Sequence, residues 1–388
     1  MIKQFFDKIR PNFEEGGKLH AFRSVFEGME TFMLVPNTTS KVGVSIHDAI
    51  DSKRIMSFVV IALIPALLFG MYNIGYQNAA AAGRLAETGF WSMFLYGFLL
   101  VLPKIVVSYV VGLGIEFAVA QWKKEEIQEG YLVSGILIPL IVPVNCPLWM
   151  LALAVAFSVI ICKEIFGGTG MNIFNPALIA RAFLFFSYPT SMSGDKVWVA
   201  GKEVFGLGYN LPDAATMATP LGEVGAGLQP TASLSDMIVG LIPGSIGETS
   251  VIAIAIGALI LLYTQIASIR TMTSVFVGGV LVAVLFNMAG MEGNAVANMP
   301  WYEHIVTGGF CFGAVFMATD PVTSSRTEKG QYVYGFLIGA LAILIRVLNP
   351  GYPEGMMLAI LFMNMFAPLI DYCVIQRNIN KRMKRVQK

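Results

Sequence analysis

From Tyr131 to Cys162 the chain runs without one charged side chain. An α-helix rises about 1.5 Å per residue, so about 20 apolar residues cross the roughly 30 Å hydrocarbon core of a bilayer. A run of this kind places the chain in a membrane. It is not one helix, because Pro139, Pro143, Asn145 and Pro147 interrupt it, and each proline removes a backbone donor and crowds the preceding turn. Two membrane elements meeting at a non-helical link are expected. Composition agrees: 56% of the 388 residues are hydrophobic and 13% charged, which excludes disordered and ordinary soluble chains.

The same reasoning predicts about ten transmembrane or half-membrane helices in an all-α integral membrane protein. They are Met56–Gly75, Phe90–Ala120, Leu132–Val144, Pro147–Cys162, Pro176–Tyr188, Ser250–Ile269, Thr273–Ala289, Ile305–Thr319, Tyr332–Leu348 and Gly355–Val374. Cytoplasmic loops are enriched in Lys and Arg, so the tail with Arg377, Lys381, Arg382, Lys384 and Arg385 is expected inside. An even element count puts the N-terminal segment inside as well. Lys123, Lys163, Arg270 and Arg326 then fall on that side, the polar insert after Pro189 lies outside, and Arg84 is the one misfit. Asn145-Cys146-Pro147 is echoed by Thr319-Asp320-Pro321, and Phe174-Asn175-Pro176 by Leu348-Asn349-Pro350, at a common displacement of 174 residues. Five elements separate the equivalents, an odd number, which implies two inverted five-element repeats with breaks near the midplane. The expected divisions are a cytoplasmic amphipathic segment 1–54, a first membrane repeat 55–190, a periplasmic insert 191–236, a second repeat 237–375 and a basic cytoplasmic tail 376–388.

Other chemistries are excluded or weak. Twenty-six basic and 25 acidic residues nearly cancel, so nucleic acid is not an expected partner. Cys146, Cys162, Cys311 and Cys373, and His20, His47 and His304, lack metal or redox spacing. Charges from Lys3 to Lys18 interrupt any cleavable signal, and no G-x-G-x-x-G turn is present for NADH.

In the insert, Asp213-Ala214-Ala215-Thr216-Met217-Ala218-Thr219-Pro220 sets two hydroxyls among small residues. By composition it reads as a solvated loop with helix-capping threonines. Asp213-x-x-Thr216-x-Ala218-Thr219 also resembles the flavinylation motif Asp-x-x-Ser/Thr-Gly-Ala-Thr of the membrane flavin subunits of sodium-pumping (Na+-translocating) NADH:quinone oxidoreductases and the related Rnf complexes. Met217 stands where that motif has glycine. Similar stretches extend along almost the whole chain, among them Lys163–Gly170, Phe174–Leu178, Arg181–Phe186, Ile242–Glu248, Met317–Val322 and Tyr352–Phe362.

The resemblance implies a subunit of a multi-subunit respiratory complex in the bacterial inner membrane. It implies FMN held covalently on Thr219 through a phosphoester, with Asp213, Thr216 and Ala218 read by a flavin transferase during maturation. It further implies a noncovalent riboflavin, a quinone (ubiquinone or menaquinone) as substrate, coupled export of Na+, and partners that include an FMN-bearing periplasmic subunit and an NADH-oxidising subunit. A channel or secondary transporter with inverted repeats remains the rival of another class.

Glycine-rich segments at Gly167-Gly168-Thr169 and Gly244-Ser245 can bring backbone N–H groups against a flavin, or simply permit close helix packing. Asn175 and Arg181, within the resembling stretches, join the cofactor-binding candidates; Arg181, like Arg346 and Lys104, can balance flavin or quinone charge, although such side chains at helix ends usually snorkel. Ionisable groups at membrane depth cost about 2.5–3.5 kcal/mol on insertion scales. Asp320, Asp371 and Glu129 are therefore Na+ candidates, the first two also by the resemblance, against the plainer reading of interfacial caps or salt bridges. The amphipathic first fifty residues, with Phe5, Phe6, Phe13 and Phe26, are expected to lie on the membrane lipid and cap the quinone site.

Overall fold

The uncharged runs fold into helices, and among the described residues there is no β-strand, only an isolated bridge between Val204 and Leu207. The computed structural model describes residues 2–14, 16–17, 19, 23, 26, 30, 34, 43, 52–123, 130–212, 217–349, 351 and 354–386. Glu129, Asp213 and Thr216 lie outside the described residues, as does most of the segment expected to cap the quinone site. A short helix α1 (Ile2–Ile9) precedes the membrane elements.

The first half comprises α2 (Ser52–Ala81), α3 (Phe90–Lys123), α4 (Tyr131–Leu140), α5 (Leu148–Phe157), which continues as a π-helix over Ser158–Glu164, and α6 (Pro176–Ser187). Short helices α7 (Pro189–Met192), α8 (Pro220–Gly225) and α9 (Leu234–Val239) punctuate the insert. The second half comprises α10 (Val251–Tyr263), α11 (Ile269–Ala289), the short α12 (Trp301–Val306) and α13 (Phe310–Phe312), which continues as a π-helix over Gly313–Met317. It ends with α14 (Glu328–Leu348) and α15 (Met356–Val386). Five helices, within α2, α3, α11, α14 and α15, are long and apolar enough to cross a membrane. The last runs past Val374, so the basic residues from Arg377 continue its helix.

The break foreseen after α4 finds hydrogen-bond partners for several of its carbonyls, as an apolar environment demands. Leu140 O accepts from Gly247 N at 2.7 Å and Val142 O from Ile246 N at 3.4 Å. Farther along, Lys104 Nζ donates to Cys146 O at 2.7 Å, and Asn145 Nδ2 donates to Lys196 O and Val199 O. Lys104, buried within α3, thus serves carbonyls that the prolines leave without helical partners.

The displacement of 174 residues lays α4 on 305–314, α5 with its π-helix on 322–338 and α6 on 350–361, which overlap α12–α13, α14 and α15, although α14 and α15 each start later than projected and α15 runs far past the projected end. Gly130, Val133 and Ser134, at the start of α4, line the same cavity as Phe316 and Thr319 at the end of the second broken element. Small residues let the halves close: a Cβ on Gly257 of α10 would strike Ala62 O of α2, and one on Gly70 of α2 would strike Ile246 O.

The insert folds against α2 and α3. Asn78 Nδ2 donates to Ala200 O and Tyr209 O, Tyr96 Oη donates to Lys202 O, and the guanidinium of Arg84 lies 5.3 Å from the Tyr209 ring centre. The misfit in the charge pattern is therefore held by an aromatic face of the insert.

Candidate functional site

Thr219 opens into the larger of two polar cavities, about 650 Å³ in volume. Its backbone is extended before Pro220, and its Oγ1 accepts from Gly222 N at 3.1 Å as the N-cap of α8. Proline at the first helical position fixes that geometry. The composition-based reading of a capping threonine is thus correct, and the same hydroxyl lines the cavity.

Arg181, Gly244 and Ser245 stand in the walls of this cavity with Thr219, together with Glu248, Arg346 and Glu354. Arg181, on α6, donates through Nη1 to Glu248 Oε1 at 2.7 Å and through Nη2 to Glu354 Oε2 and to Ser245 Oγ. Arg346, fully buried on α14, donates to His304 O at 2.6 Å and to Thr307 O, Gly308 O and Glu354 O. Two guanidinium groups and two carboxylates thereby join α6, the loop before α10, the turn before α13 and the start of α15. Arg181 and Arg346 do not snorkel; both are enclosed.

Gly308 and Gly309 form the turn into α13 with φ of +61° and +66°, the left-handed region that favours glycine. A Cβ on Gly308 would come within 2.7 Å of Arg346 Nη2, and one on Gly309 within 2.9 Å of Glu248 Cδ. The cavity wall is therefore bare backbone backed by the charged network, a surface suited to a flat polar group carrying a phosphate.

The other glycine-rich segment does not join this cavity. Gly167 N and Gly168 N donate to Glu164 O and Lys163 O, closing the π-helix after α5, so these N–H groups are not presented to a ligand. Ala218, beside Thr219, is half-buried and absent from the cavity walls.

Thr169 and Asn175 instead line the smaller cavity, about 90 Å³, with Asp320, Asn172, Thr319 and Lys163. Asn175 caps α6, its Oδ1 accepting from Ala177 N and Leu178 N, while its Nδ2 donates to Asp320 Oδ2 at 3.1 Å. Asp320 also accepts from Val322 N and Thr323 Oγ1. Asp371 sits elsewhere. It accepts from Ser325 Oγ and Thr327 Oγ1 at 2.6 Å, Arg326 N at 2.8 Å and Thr327 N at 3.0 Å, and so fixes the start of α14. A carboxylate has about four acceptor positions; those of Asp371 are filled by the chain itself.

Sequence reasoning did not select Glu248, Glu354 or the Glu116–Lys163 pair. The last had a signal: Glu116 is an isolated acid in an apolar run. Among the described residues no cluster of three or more His, Cys, Asp or Glu side chains is arranged to hold a metal.

The sequence profile of the NQR2, RnfD, RnfE family matches residues 39–380. Curated relatives that all bear the name of one and the same subunit of the Na(+)-translocating NADH-quinone reductase match along nearly the full length. That of Stutzerimonas stutzeri is 46% identical, with 99% of each chain covered. That of Chromohalobacter salexigens is 45% identical, covering 99% of this chain and 96% of the relative. That of Neisseria meningitidis serogroup B is 42% identical, with 99% of each covered.

Proposed function

Because the chain belongs to the NQR2, RnfD, RnfE family, we propose that it is the membrane subunit of a sodium-pumping NADH:quinone oxidoreductase that carries FMN on Thr219. The observation that carries this reading is the cavity at Thr219, walled by bare glycine backbone and by Arg181, Ser245 and Arg346. Full-length relatives bearing the reductase name support this branch over the Rnf branch.

Flavin supplies reversible one- and two-electron carriage when bound. Thr219 Oγ1 provides the phosphoester anchor, and the two guanidinium groups, each already hydrogen-bonded within the chain, offer N–H groups held in fixed positions without reorganisation. Glu248 and Glu354 hold Arg181 in place. NADH oxidation falls to a partner subunit, and riboflavin, where bound, would supply the electron carriage between this chain and quinone. The Thr219 loop is periplasmic and both termini are cytoplasmic. Asp320, beside neutral oxygen donors in the smaller cavity, is the acid best suited to Na+, whereas Asp371 is engaged in capping α14.

Mass spectrometry of the peptide containing Thr219, from protein made in a host with the flavin transferase, tests the reading. An FMN-sized adduct that disappears in Thr219→Ala supports it. An unmodified peptide from fully active complex overturns it.

A further inference from the structure

Lys163 and Glu116 form a buried ion pair, each side chain 4% exposed, between the π-helix after α5 and the long helix α3. Lys163 Nζ donates to Glu116 Oε1, while Glu116 Oε2 is enclosed with no hydrogen-bond partner. An enclosed carboxylate oxygen without a donor is costly, more so at membrane depth. Lys163 also lines the smaller cavity, where Asp320 receives only neutral donors: Asn175, Thr323 and the Val322 amide. Among the described residues these three ionisable groups leave one negative charge without a cation. The lysine is on a π-helix, a local geometry that recurs at functional sites because it frees a side chain from regular packing.

From this arrangement we propose that Lys163 is a tethered cation that competes with Na+ for Asp320 of the smaller cavity, so that its position on Glu116 leaves Asp320 open to the ion and its movement toward Asp320 expels it. The inference rests on the sodium-pumping reading and adds to it the residue that sets affinity and release. One net negative charge matches one monovalent cation, and Thr169, Asn172 and Thr319 supply hard neutral oxygens around it. Lys163 acts through Asp320 and is a positioning residue.

Sodium titration of NADH-driven quinone reduction in the assembled complex tests this. Lys163→Gln removes the competing charge and is expected to lower the sodium concentration for half-maximal rate by about tenfold, the effect of one unit charge acting over about 12 Å at an effective dielectric near 20. Lys163→Arg retains the wild-type value. An unchanged or raised value in Lys163→Gln overturns the inference. Should Lys163→Gln fail to assemble, Glu116→Gln asks the same question in reverse: it releases Lys163 toward Asp320 and must raise the half-saturation, and no rise overturns the inference. If the wild-type complex itself shows no sodium stimulation, the sodium-pumping reading fails instead, and the two failures are thereby distinguished.

Discussion

Arg181 concentrates more of the site's electrostatics than any other side chain at the larger cavity, since it alone joins Glu248, Glu354 and Ser245. Removing one member of a buried charge pair costs about 3–5 kcal/mol, because the remaining charge stays enclosed without compensation. Arg181→Met is therefore expected to lower the melting temperature of the purified complex and to reduce the flavin on Thr219. Arg181→Lys keeps the charge but cannot reach two carboxylates and a hydroxyl with one fork, and is expected to fall between. Equal melting temperatures for all three proteins would show that the network does not hold the fold. The sequence selected Arg181 but offered no reason to pair it with Glu248 or Glu354, which lie 67 and 173 residues away. Nor could it distinguish Gly244 from Gly167. Both sit in glycine-rich segments, and only the folded chain shows that the N–H groups of Gly167 and Gly168 close a π-helix while Gly244 lines the cavity.

Helix ends, more than helix bodies, decide the working geometry. The turn Gly308–Gly309 starts the second broken element, and its positive φ excludes side chains even before the contact with Arg346 and Glu248 is considered. Gly308→Ala is expected to destabilise the complex by about 1–3 kcal/mol through backbone strain, read as a fall in melting temperature. A thermally neutral substitution would mean that the turn is free to adopt another conformation. At the opposite end of the bundle, Asp371 fixes the start of α14 through two hydroxyls and two amides. Asp371→Ala leaves those donors without their acceptor, and because loss of one buried hydrogen-bond partner costs about 1–3 kcal/mol, faster hydrogen exchange is expected in the first turn of α14. Unchanged exchange there would assign Asp371 a role other than capping. The uncharged runs and prolines foretold these elements well. Their exact ends were less legible: α4 stops at Leu140, where the loop before α10 captures its carbonyls, and α15 continues beyond the apolar stretch because its basic residues are good helix formers.

Across the whole molecule, the two cavities lie at opposite ends of the second broken element. The larger is joined to its start through Gly308 and Gly309, the smaller to its end through Phe316 and Thr319. Asn175 and Arg181 of α6 face one cavity each, six residues or about 9 Å apart along the helix. The fold gathers Asn145 with the insert and Asp320 with Asn175. The proposed topology has the larger cavity facing the periplasm. Single cysteines replacing Lys202 and Lys381 are therefore expected to react differently with a membrane-impermeant maleimide: the first in intact cells, the second only after permeabilisation. Labelling of both from the same side would refute the assigned topology.

Local chemistry written into the chain was enough to establish a helical membrane protein broken at its prolines and the capping threonine ahead of Pro220, because apolar runs, prolines and caps act on their immediate neighbours. Which charges meet is a different matter. The joining of Arg181 to Glu248 and Glu354, the enclosure of Lys163 against Glu116, and the separation of Thr219 from Asp320 into two cavities depend on helices distant in sequence. An enclosed charge must find compensation wherever the packing of the two halves brings it, and that packing is a property of the folded chain.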